Sequence, residues 1–116
     1  MVTTNDVDVM FGDASIVDTG AREALSAYSD RYDIGQPADL GSADDKLIAN
    51  SVVTDNKTML KQAMKDVEDG VFGDKVIYGN LDNGGVSVGT FSNIVTADQQ
   101  KQYLDYVEQI KDGSFL

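Results

Sequence analysis

The side chains able to do chemistry in this chain are carboxylates and hydroxyls, and they gather where predicted strands end. Asp13 and Ser15 follow a predicted strand over 7–11, Asp39 follows one over 32–35, and Thr54 closes one that is clearest over 51–54. In an open α/β sheet, ligands collect outside the carboxyl ends of the strands. Gly12, Asp13, Ser15, Asp18, Gly20, Asp39 and Thr54 are therefore the candidate ligand-binding residues. A carboxylate such as Asp39 can accept two hydrogen bonds from neighbouring hydroxyls, and Thr54 can donate or accept one. The first N–H groups of a helix opening after Ser15 favour an anionic or hydroxyl-rich group. The same residues have plainer roles: Asp13 and Asp18 as caps, Asp39 as a loop acid, Thr54 as the last residue before a helix.

Catalysis has little to work with. The chain contains no His, no Cys and no Trp. Acid–base chemistry at neutral pH would need a perturbed carboxylate, Lys or Tyr. No nucleophile elbow, P-loop or dinucleotide fingerprint is present. An enzyme is not expected, and no cofactor is implied. No EF-hand spacing appears, so no metal site is assigned. The net charge is −11, from twenty acids against nine bases. That field repels nucleic acid and anionic lipid headgroups, serves solubility, and would attract a cationic partner. No run of apolar residues approaches the length of a membrane span. The first six residues, Met-Val-Thr-Thr-Asn-Asp, have neither the basic nor the apolar region of a signal peptide.

The elements that must position these residues follow from periodicity. Val7, Val9 and Phe11 alternate as in a strand, with Phe11 read as core. A helix is expected over 16–28, with Ser15 as its N-cap and Asp18 as capping-box partner. Gly20 inside it costs about 1 kcal/mol relative to Ala, which suggests close packing or ligand approach. Residues 36–45 read as a loop and 47–53 as containing a strand. Asp55 caps a second helix whose apolar face is Leu60, Ala63, Met64, Val67 and Val71, with Gly70 at its left-handed end. A hairpin is expected next: a buried strand over 75–81, the reversal Asp82-Asn83-Gly84-Gly85, and a return through Val86 and Val88. Thr96-Ala97-Asp98-Gln99 is a capping box opening a last helix, buried along Tyr103, Leu104, Val107 and Ile110. Strands alternating with helices indicate one α/β domain over 1–116, its sheet mainly parallel, flanked by helices and mixed by the late hairpin.

The order of these segments resembles a known family. Val7-Asp8-Val9-Met10-Phe11 looks like its strand before a glycine-rich helix start, which falls either on Asp18-Thr19-Gly20 or on residues 12–15. Tyr32-Asp33-Ile34-Gly35 with Asp39 looks like its Ile-Gly strand and acidic loop. Ile48-Ala49-Asn50-Ser51-Val52-Val53 looks like its Ser-Val-Val strand. Lys65 through Phe72, Leu81 through Val88, and Ile110-Lys111-Asp112-Gly113 resemble its later helix ends and turn. The family is the basic membrane protein group of ABC-transporter lipoproteins, related to purine nucleoside receptors. The resemblance covers nearly all 116 residues. It implies a type I periplasmic-binding-protein fold, of which this chain is the later part of the second lobe. It further implies a nucleoside-like ligand in an interlobe cleft, an ABC permease as partner, and an extracytoplasmic, lipid-anchored location. The first lobe would supply the opposite wall. Pro37 stands where the family has a ribose-binding Asp, and Thr54 where it has Lys, which points to a different small polar ligand. A non-transport regulatory or interaction domain is the other expectation, since an incomplete sheet exposes an edge through which copies can pair.

Overall fold

The computed structural model describes residues 6–115; the start of the chain, where no leader was read, lies largely outside them. Four strands, β1 (Val9–Phe11), β2 (Tyr32–Gly35), β3 (Ile48–Thr54) and β4 (Val86–Val88), form one sheet in the order β1-β2-β3-β4. β1, β2 and β3 run parallel, with Met10 opposite Asp33 and Ile34 opposite Asn50. β4 is antiparallel to β3, with Val88 opposite Val52. Three helices accompany them: α1 (Ile16–Leu25), α2 (Asn56–Glu68) and α3 (Ala97–Asp112). The class is α/β with an open, mostly parallel sheet.

The helix ends follow the capping chemistry. The Asp55 side chain accepts from Lys57 N at 2.9 Å and starts α2. The Thr96 and Gln99 side chains cap one another's backbone N–H at the start of α3, which ends on Gly113 at φ 77°. That left-handed conformation is cheap for glycine alone.

Four expectations are corrected. α1 stops at Leu25 rather than 28, because the Ser26 hydroxyl turns back to Glu23 O at 2.7 Å. Residues 75–81 are not a strand. Asn80 and Asn83 bond that segment instead, through Asn80 N to Asn83 Oδ1 at 2.9 Å and Asn83 Nδ2 to Tyr78 O at 2.7 Å. Val76 and Tyr78 are left 69% and 71% exposed, and β4 takes its partner from β3. Phe11 is exposed and not core. The stripe of α3 is only half-buried, at Tyr103 and Val107, with Leu104 and Ile110 exposed; on the apolar face of α2, Leu60, Met64 and Val67 are exposed as well.

The core is correspondingly thin. Among the described residues the buried apolar side chains are Met10, Leu25 and Ile48, while Asp18, Asp33, Asn50, Ser51, Asp66 and Ser92 are buried and polar. The radius of gyration is 17.3 Å, against about 13 Å for a compact domain of this length. The body is 54 Å in its longest dimension and leaves apolar surface open. No helix among the described residues is long and apolar enough to cross a membrane.

Candidate functional site at the strand tips

The loops after β1 and β2 meet at the carboxyl end of the sheet. The Gln36 side chain joins them by donating from Nε2 to Gly12 O at 2.6 Å. Thr54, ending β3, donates its backbone N–H to Pro37 O at 2.8 Å and fixes the second loop. Between the loops lies an open depression of about 540 Å³, lined by Asp13, Ser15, Asp18, Arg22, Gln36 and Pro37 among others. Three of the expected site residues, Asp13, Ser15 and Asp18, thus share one pocket.

The start of α1 decides the chemistry. Ser15 makes no side-chain cap and sits at φ 57°, ψ −124°. The Asp18 carboxylate, 7% exposed, instead accepts from Ala14 N at 3.0 Å. It lies against Gly12, where an added Cβ would stand 2.3 Å from Asp18 Oδ1. Gly12 is therefore required by its neighbour's carboxylate. An internal acid in the first turn, Asp18, already offsets the positive end of α1.

Behind the pocket, Arg22 Nε donates to Asp33 Oδ2 at 2.5 Å. Asp33 is fully buried and its Oδ1 has no partner among the described residues. Burial pushes the Asp33 carboxyl above its ordinary value; the hydrogen bond and charge of Arg22 offset this in part, and the negative charge of Asp18 adds to it. Two buried acids thus lie close enough to feel each other's charge, and the guanidinium bonds Asp33. The pocket offers acceptors and a guanidinium already engaged, which suits a ligand rich in hydrogen-bond donors better than an anion.

The remaining expected residues stand apart from the depression. Asp39 is occupied: it accepts from Thr90 N at 3.0 Å on each oxygen and from Thr90 Oγ1 at 2.7 Å, tying the loop after β2 to the end of β4. Gly20 is exposed in α1, and a Cβ there would meet nothing within 4 Å, so neither close packing nor an approaching backbone accounts for it. Sequence reasoning missed Arg22, Asp33 and Gln36. The available signal was Asp33 itself, a charge at the centre of a strand between Tyr32 and Ile34, with an Arg on the neighbouring helix. Asp45, the last residue of the expected loop, accepts from Leu47 N and Ile48 N at 2.8 Å each and leads into β3.

No group of three or more His, Cys, Asp or Glu able to hold a metal occurs among the described residues. Comparison with protein-family models, curated proteins and solved structures finds no match to this chain.

Proposed function

We propose that this chain is one wall of a ligand-binding cleft, the second-lobe portion of an extracytoplasmic solute-binding protein serving an ABC permease, and that it has no catalytic activity. The observation that carries this reading is the convergence of the β1 and β2 tip loops on a single polar, open depression. Its ligand is a small, neutral or cationic, donor-rich solute, nucleoside-like in size. Asp13 and Asp18 are its acceptors and Gln36 holds the loops in place. The opposite wall comes from a first lobe, so this chain alone binds weakly.

The test is a titration of the chain with adenosine and with a panel of polyols and amines, followed by NMR. Millimolar binding that perturbs residues 12–18 and 36–40, and weakens several-fold in Asp13→Ala, supports the reading. Nanomolar affinity for these 116 residues alone, turnover of any ligand, or perturbation confined elsewhere would sink it.

A second reading is a regulatory or protein-interaction domain of the same fold. The exposed apolar residues of α2 and α3 favour it. Pairing through the sheet edges is less favoured, since β1 and β4 are three residues each and short edges are poor templates. Sedimentation showing a strict monomer at every concentration counts against self-association.

A further inference from the structure

The opposite face of the sheet holds a second cavity of different chemistry. Strand alternation puts Met10 and Asp33 on the face beneath α1, and Val9, Tyr32, Ile34 and Asn50 on the other. There the segment 91–95 and the first turns of α3 lean over the sheet, with Phe91 and Tyr103 in edge-to-face contact, centroids 5.4 Å apart. Between them and the strands is a space of about 360 Å³, lined by Tyr32, Ile34, Asn50, Phe91, Val95 and Tyr103 among others. That volume is within the range of small-molecule sites. The strand residues in its wall lie at the start or middle of β1, β2 and β3, away from the tips.

One polar group in this wall is unusual. Asn50 is 2% exposed, and its Nδ2 donates to Gly89 O at 2.8 Å. That bond fixes the amide, because exchanging O and N would set two acceptors against each other. Asn50 Oδ1 is left buried with no partner among the described residues. A buried acceptor without a donor is costly, and native structures leave few of them. The wall around it is largely apolar, and burial pushes the Tyr103 hydroxyl above its usual value. The cavity lining includes no charged side chain to pair with an ionised ligand.

We propose that this cavity binds a neutral, flat, ring-containing molecule carrying one N–H or O–H donor, of the size of indole or phenol. Its rings lie between Tyr32, Ile34 and the Phe91–Tyr103 pair, and its donor satisfies Asn50 Oδ1. An anion is disfavoured by the net charge of −11, and a cation finds no counter-charge in the wall. The site is separate from the strand-tip depression, and its success or failure leaves the tip reading intact.

The test uses indole and N-methylindole, which differ at the donor. In a ¹H–¹⁵N titration of the whole chain, indole perturbs Asn50, Phe91 and Tyr103 and binds about tenfold more tightly than N-methylindole. Asn50→Leu abolishes that preference, and Val95→Phe, which fills the space, weakens both probes. Should Asn50→Leu fail to fold, the probe pair on the native chain with Val95→Phe still decides. Equal affinities of the two probes, perturbation spread over the exposed face of α2, or no perturbation at millimolar probe overturns the proposal.

Discussion

The two faces of the sheet invert the usual allocation of polarity. Under α1, charge is buried: Asp33 at the centre of β2 meets Arg22, with Asp18 nearby. On the other side, apolar side chains meet water: Val9 and Phe11 are 50% and 59% exposed, and α3 covers the rest only in part. The first face is tied together by ionic and hydrogen bonds, Arg22 to Asp33 and Ala14 N to Asp18, although Asp33 Oδ1 stays without a partner among the described residues. The second is unfinished, with an acceptor lacking a donor and rings lacking a neighbour. The difference separates a face held by buried charge from one held by partly covered apolar contacts.

The most severe way to break this contrast is Arg22→Met, which strands the Asp33 charge in the interior. Urea denaturation at neutral pH should show a loss of about 3 kcal/mol, most of it recovered in Arg22→Met/Asp33→Leu. A loss under about 1 kcal/mol would mean the ionic face does not hold the fold together. The pair also has a pH signature. Because the folded-state value of Asp33 lies above the ordinary 3.8, the folded chain keeps its proton over a window where the unfolded chain has released it. Its contribution to stability therefore falls as pH rises from 3.8 to the folded value. Asp33→Asn should flatten that fall in urea denaturations taken across the window.

Gly12→Ala comes next, since the new methyl displaces the Asp18 carboxylate and opens the cap on Ala14 N. A loss of about 2 kcal/mol is expected, with the amide resonance of Ala14 shifted. Thr96→Ala removes half of the α3 capping box and should cost about 1 kcal/mol, read as a lower melting temperature with fraying of the first turn. Smallest of all, Leu60→Lys and Met64→Lys on the open face of α2 should change stability by less than about 0.5 kcal/mol. A larger loss for these would show that the face is buried in solution, and would sharpen the contrast into one between a core and an interface.

What was legible in the sequence was local. Thr96 with Gln99, Asp55, Gly70 and Gly113 announce helix ends because a cap is satisfied within a few residues of itself. The strands β1 to β3 and the tip positions of Asp13, Ser15 and Asp18 were legible for the same reason. What was not legible depended on partners far along the chain. Asp39 is claimed by Thr90 across 51 positions, and Arg22 by Asp33 across 11, from a helix to the next strand. Val76-Ile77-Tyr78 has the composition of a buried strand, yet β3 has one free edge there and β4 occupies it. Periodicity reports which face could be covered; it does not report whether anything covers it, and the burial expected along α3 is read wrongly at Leu104 and Ile110 on that account.

The tie between Asp39 and Thr90, together with the β3–β4 ladder, has a consequence for how the polypeptide could be divided. The connection between α2 and β4 passes through Gly70 and Gly73, both exposed and both at positive φ. A protease nick between them would sever the chain without cutting a strand or a helix. The two halves would stay clasped by Asp39, Asn50 and Ala49 on one side and by Thr90, Gly89 and Ser92 on the other. Expressed separately, the halves are expected to reassemble through these bonds and the β3–β4 ladder.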